Sequence, residues 1–154
     1  MDPNAVVEVF RRNITEHYVD FQGRARRQEF WYYILAYVVV YVVLGIVQSV
    51  MGTHALTGLL SLALFLPTLG ISVRRLHDTD RTGWWVLLAA IPSALLMLLA
   101  GMALVTGAYT MMFLTATVLP ILALAAAALL IYWYAQPGTA GQNQYGPDPK
   151  AGAA

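Results

Sequence analysis

The densest run of chemically capable side chains is Arg74-Arg75-Leu76-His77-Asp78-Thr79-Asp80-Arg81-Thr82-Gly83-Trp84-Trp85. Asp78 and Asp80 form a D-x-D pair beside an imidazole, a set that can hold a divalent cation through oxygen and nitrogen. Arg75 and Arg81 flank that pair and neutralise it, which weighs against a metal. His77 beside Asp78 also suggests a general base. A structural histidine, bonded to an Asp or a backbone carbonyl, suits the setting better. No H-E-x-x-H or G-x-S-x-G stretch occurs. The chain has no Cys, so disulfides, thiolate metal sites and cysteine nucleophiles are excluded. No catalytic residue, metal or cofactor is assigned, and His17 and His54 read as plain surface or loop residues.

The remaining chemistry is anion recognition. Arg24, Arg26 and Arg27 precede the first apolar run, and Arg74, Arg75 and Arg81 sit in the middle segment. These six are all Arg and no Lys, which fits phosphate because the planar fork donates two bonds at once. Against Glu29, Asp78 and Asp80 the sum is +6 − 3 = +3 with His77 neutral. Signs mixed this densely suggest ion pairs rather than a plain positive stripe. Arg26 and Glu29 are three apart and can pair along a helix. Glu29 at the mouth of a span needs a cation such as Arg75, and Asp78 suits Arg24 or Arg27; the alternative is solvated side chains that never touch. The candidate binding set is Arg24, Arg27, Glu29, Arg74, Arg75, His77, Asp78, Arg81 and Trp84. Its expected partners are membrane lipids, an anionic phospholipid among them. Arginines beside an anionic leaflet gain about 1 kcal/mol each without any specific site, so a topology signal alone is the competing reading.

What must position these residues follows from composition. Of 154 residues, 59% are hydrophobic and 11% charged, against about 25% charged in soluble domains. Residues 30–73 hold no Asp, Glu, Lys or Arg, and neither do residues 82–147. A spanning helix needs about 20 apolar residues, so each gap has room for two. The fold class is all-α: a single polytopic membrane domain with spans at 31–50, 55–73, 84–105 and 111–134. Soluble enzyme, secreted domain and nucleic-acid binder are set aside. The polar N-terminal segment, 1–29, does not read as a cleavable signal. The tail, 136–154, is rich in Gly, Pro and Asn and is expected to be irregular with mobile last residues.

All nine basic residues fall in the N-terminal segment, the middle loop or the tail, and none in the other two connections. By the positive-inside rule both termini are cytoplasmic. Trp31, Trp84, Trp85 and Trp133 fall at the same ends, as an interfacial belt would. Residues 4–18 read as an amphipathic helix, with Val6, Phe10 and Ile14 at intervals of four. It lies either in the headgroup plane or on the protein's own polar face. The middle loop is about ten residues long, counting Arg74 to Gly83. No ionisable group sits near mid-span, which weighs against a proton relay or ion-coupled transporter. Pro67, Pro92 and Pro120 are expected to kink three spans. Tyr33, Tyr37 and Tyr41 form a stripe best explained by packing, with a hydroxyl bonded to a neighbouring helix. Gly45 with Ser49 and Ala123 with Ala127 have the spacing of close helix contacts, within the chain or in a homo-oligomer.

Three motifs share the cytoplasmic side: Gly23-Arg24-Ala25-Arg26-Arg27-Gln28-Glu29-Phe30-Trp31, the Arg74–Trp85 run, and Gly141-Gln142-Asn143-Gln144-Tyr145-Gly146-Pro147-Asp148-Pro149. In this order they resemble the domain-of-unknown-function family 805, the YhaH-type small bacterial inner membrane proteins. Thr82, where the family is associated with Ser, and Asp80 are small departures. The resemblance implies a multi-pass helical protein of the bacterial inner membrane and implies no reaction. The leading expectation is a non-enzymatic protein with an ion-paired platform for lipid headgroups, an anionic ligand or a partner. The alternatives are a small transporter or channel subunit acting as an oligomer, and a lipid-active enzyme using His77 and Asp78.

Overall fold

The computed structural model describes residues 2–52, 55–107 and 113–151. Helix α1 spans Pro3–Thr15. The Asp2 carboxylate accepts the Asn4 N–H at 2.9 Å, and Pro3 occupies the first turn where its missing N–H is harmless. Of the two placements left open, α1 lies on the protein. Val9 and Phe10 pack on the buried cluster, and the Phe10 ring is 5.4 Å from that of Tyr33.

Helices α2 (Arg27–Met51), α3 (Leu56–Asp78) and α4 (Leu87–Thr106) follow, then a π-helical turn at Leu114–Val118 and helix α5 (Leu119–Ala135). Four helical stretches are long and apolar enough to cross a membrane, and no strand occurs among the described residues. Gly52 and Gly107 end α2 and α4 in the left-handed region, φ 66° and 65°, the usual helix stop. Helix α3 continues through Pro67, and α4 through Pro92. Pro120 follows directly on the π turn, where its missing N–H interrupts the i→i−4 ladder.

The helices overrun the apolar runs. At 1.5 Å per residue α2 is about 37 Å long, more than the roughly 30 Å hydrocarbon core. Its length leaves room for the first turn, with Arg27, Gln28 and Glu29, to lie outside such a core. Likewise Arg74, Arg75, His77 and Asp78 form the last turn of α3, so the ten-residue middle loop is corrected to Thr79–Thr82 and a 3₁₀ turn at Gly83–Val86. The helix persists because neighbours neutralise its charged turn. It stops in a Schellman arrangement, with Asp80 at φ 58°, its N–H donating to His77 O and the Arg81 N–H to Leu76 O, both at 3.0 Å. Asp80 thus stands where glycine usually does.

Burial is concentrated at the end of the bundle that carries both termini. Ala25, Phe30, Tyr33, Ile71, Leu76, Leu130 and Tyr134 form the core there. The rest of α2 shows Val38, Val42 and Ile46 outward. Lipid tails are as apolar as these side chains, so only the polar end must close on itself. Tyr33 is buried with its hydroxyl 2.9 Å from Thr68 Oγ1, tying α2 to α3; the Tyr37 and Tyr41 rings lie 6.0 Å apart. The α1–α2 segment lies on α3 so closely that a Cβ on Gly70 would stand 2.8 Å from Asp20 O. A Cβ on Gly45 would meet nothing within 4 Å, which corrects its reading as a contact within the chain. His54 lies outside the described residues.

Candidate functional site

The last carbonyls of α3 and α5 have no partner within their own helices, and both sets open onto the polar end. Arg75 serves α5. Its Nε donates to Tyr134 O at 3.0 Å, Nη2 donates to Gln136 O, and Arg27 Nη1 adds a bond to Ala135 O at 3.3 Å. A cation at a helix C-terminus also meets the negative end of the dipole favourably. The tail serves α3. The Thr139 N–H donates to Asp78 O at 2.8 Å, and Asn143 Nδ2 donates to His77 O at 2.9 Å.

Asp78 joins the two sets. Oδ1 accepts from Arg24 Nε at 3.0 Å, and Oδ2 accepts from Arg75 Nη1. Arg24 then reaches the tail, donating to Gly141 O at 2.6 Å and Thr139 O at 2.5 Å. The side chains of Arg24, Arg75 and Asp78 are 2%, 0% and 5% exposed. Two buried cations and one carboxylate are tolerable only because nearly every donor has an acceptor. The three sequence motifs meet around this carboxylate, with Arg24 of the first bonded to it and Gly141 O of the third accepting from Arg24.

The tail is irregular by helix content but closely held. Asn143 and Gly146 exchange backbone hydrogen bonds of 3.1 and 3.2 Å. Asp148 accepts from the N–H groups of Lys150 (2.9 Å) and Gly141 (3.1 Å), which hold its carboxyl below the usual carboxylate range. The Tyr145 ring stacks on His77 at 3.8 Å and 2°. His77 Nδ1 lies 3.1 Å from Gly23 O, a backbone carbonyl of the kind expected as its partner.

Glu29 is placed differently from expectation. Its partner is Arg12, whose Nη2 is 2.8 Å from Oε1, while Arg75 is taken by Asp78 and α5. The Arg26–Glu29 pairing is also replaced, because Arg26 donates to Pro149 O. Helix α1 carried the missing cation, and only tertiary packing brings it over α2. A double-mutant cycle in detergent, read by thermal or denaturant unfolding, should therefore give Glu29 and Arg12 a coupling of about 0.5–1 kcal/mol, a partly exposed pair. The cycle between Glu29 and Arg75 should stay within the ~0.3–0.5 kcal/mol scatter of independent sites.

Arg74 is buried and donates to Asn13 Oδ1 at 2.5 Å, while its Nε has no partner among the described residues. Asp20, close to Arg74, is pushed up by burial; the Gln22 N–H, His17 and Arg74 outweigh that and hold its carboxyl below the usual range. Arg81 donates to Thr79 O at 3.2 Å and lies 4.9 Å over the Trp133 ring. Trp84 is 78% exposed. Of the nine expected residues, Arg24, Arg75, His77 and Asp78 share one cluster. Glu29 and Arg74 belong to the α1 contacts, and Arg27, Arg81 and Trp84 lie outward.

Sequence reasoning left Asn143, Tyr145, Thr139, Gly138 and Lys150 out of the site. For Asn143 and Tyr145 the signal was the polar side chains spaced by glycines in the third motif, since a segment of that kind can cap helices without being one; Gly138, Thr139 and Lys150 flank that motif and carried no signal of their own. Asp80 turns to Gln144 Nε2 (3.2 Å), away from the Asp78 pairs, and among the described residues no three of His, Asp and Glu come together as a metal set. A cleft of about 400 Å³ opens beside the cluster, lined by Arg26, Arg27, Gln28, Asp78, Gly138 and Lys150.

Compared with known proteins, the chain is 32% identical over 143 residues to the inner membrane protein YhaH of Escherichia coli K12, covering 89% of this chain and 93% of that one. It is 32% identical over 143 residues to the inner membrane protein YhaI of the same strain, covering 92% and 95%. No solved structure matches. The family model described as "Protein of unknown function (DUF805)" matches residues 18–147, a stretch that holds Arg24, Arg75 and Asp78 and the tail as far as Pro147, and the chain therefore belongs to the DUF805 family.

Proposed function

We propose that this chain is a non-enzymatic inner-membrane protein, with both termini cytoplasmic, whose polar end holds the headgroups of anionic phospholipids. The observation that carries this is the cleft beside the Asp78 cluster. It presents Arg26, Arg27 and Lys150, while its one carboxylate is already shared by Arg24 and Arg75. Arg27 is exposed with a single long hydrogen bond, and the Lys150 ammonium has none among the described residues. An excess of cations next to membrane level suits phosphate. The buried arginines serve as the frame, and the outward cations face the ligand. His77 and Asp78 bond to other groups rather than to each other, which supports a role without catalysis.

Retention of tetraoleoyl cardiolipin and phosphatidylglycerol after detergent extraction, read by native mass spectrometry at two salt concentrations, tests the reading. Arg27→Lys keeps the charge and loses the fork, so retention should fall about 10-fold or more, the loss of one charge-assisted bond. Arg11→Lys, out on α1, should change nothing. Equal retention in all variants, falling together with salt, would reduce the arginines to a topology signal. Orientation is checked by a periplasm-active reporter, which should give signal after Gly52 or Gly107 and none after Arg81 or Lys150.

A further inference from the structure

A second cleft, of about 470 Å³, lies between the end of α3 and the start of α4; Phe21, Leu69, Val73, Trp84 and Leu87 are among its walls. No charged side chain lines it, and His77 supplies a wall. A carbonyl oxygen only accepts, so the Nδ1 that faces Gly23 O carries the ring proton. In the neutral ring Nε2 is then an acceptor, and no described residue donates to it. The ring cannot turn to hide this atom: Gly23 holds one edge, Tyr145 covers one face, and Asn143 binds the residue's carbonyl. His77 is 9% exposed. Nε2 is not among the buried atoms that lack a partner, so it keeps some exposed surface, and an acceptor half-enclosed in this way is open to a donor from a bound molecule.

The occupant is fixed by what the walls lack. A phosphate or carboxylate brings only acceptors to a lone pair and finds no cation among the walls. An ammonium finds no acid. What fits is an apolar body with one neutral donor. The cleft's volume is in the range of small-molecule sites. It lies level with Trp84, an exposed aromatic of the kind that marks the headgroup boundary. At that depth a lipid carries its glycerol. We propose that this cleft binds a neutral glycerolipid with a free hydroxyl, of the diacylglycerol class, the hydroxyl donating to His77 Nε2 and an acyl chain lying along Leu69, Val73 and Leu87. The site is separate from the cationic cleft, with different chemistry.

The probes are 1,2-dioleoylglycerol and its 3-O-methyl ether, titrated into the full-length protein in phosphatidylcholine nanodiscs and counted by native mass spectrometry. The free hydroxyl should bind about 3- to 10-fold tighter than the ether, the worth of one hydrogen bond. Leu69→Trp fills the cleft without touching His77 and should abolish binding of both. His77→Phe should equalise the two. Equal binding by the wild-type protein would mean that water satisfies Nε2 and would overturn the proposal. Dioleoylglycerol retained by Leu69→Trp, or a hydroxyl preference retained by His77→Phe, would overturn it too. If His77→Phe does not fold, the wild-type comparison and Leu69→Trp decide the matter.

Discussion

Asp78→Ala should cost this protein about 3–5 kcal/mol of stability, the penalty for leaving buried charge without its partner. Asp78 is the carboxylate that both Arg24 and Arg75 contact, and those side chains are 2% and 0% exposed. Neither can follow the charge out to water, because Arg24 is tied to Thr139 and Gly141 and Arg75 to Tyr134 and Gln136. Asp78→Asn keeps the shape and loses the charge, so it should fall between wild type and Asp78→Ala. Glu29→Ala should cost less, about 1 kcal/mol, since Arg12 is 42% exposed and is rehydrated when freed. Unfolding of the four proteins in detergent, followed by tryptophan fluorescence, ranks them. An Asp78→Ala no less stable than Glu29→Ala would remove Asp78 from the centre of the fold.

Gly138→Ala is the second large effect expected, and it acts from the opposite side of the same carboxylate. A Cβ at that position would stand 2.6 Å from Asp78 Cγ and 2.8 Å from Oδ1. The carboxylate is held by two arginines and cannot swing away, so the tail must lift. Overpacking of this kind costs about 1–3 kcal/mol, and a lifted tail also releases the Thr139 and Asn143 bonds to α3. Limited proteolysis should then cut between Gly138 and Ala151 at least several-fold faster than in wild type, while the spans stay intact. Combined with Asp78→Ala, which removes the obstructing atoms, Gly138→Ala should add less than its own cost, because the two changes share one contact. Full additivity, or unchanged cleavage, would show that the tail does not depend on that close approach.

Both effects lie where the motif residues were visible in sequence and their partners were not. Asp78 with Arg24 or Arg27 was expected from sign and membrane level; Arg24 is the partner, at 3.0 Å, while Arg27 donates to Ala135 O. Glu29 with Arg75 came from the same reasoning and gave way to Arg12, because every cation at that level was an equal candidate and α1 had no assigned place. The D-x-D spacing could not tell whether the two carboxylates act together or apart. Asp78 turns inward to the arginines, while Asp80, two residues on, serves the backbone at φ 58°. That division depends on where the helix ends, and charged side chains pointed to an end at Val73, five residues before the actual one.

The sequence by itself determined that this is an all-helical protein with four stretches able to cross a membrane, because 44 and 66 consecutive uncharged residues permit little else at this composition. It determined that Arg, His, Asp and the tail motif share one end, since an even number of spans returns the chain to the side it left. Tertiary structure alone decided which arginine meets which acceptor. Helix ends leave carbonyls that any nearby cation or amide can satisfy, and the choice between them follows from distances of an ångström or two between segments more than 50 residues apart, such as Arg24 and Asp78. It also decided that Arg24 and Arg75 are sealed inside while Arg27 and Lys150 face outward, because burial is a property of the packed neighbours and leaves no mark on the residue type.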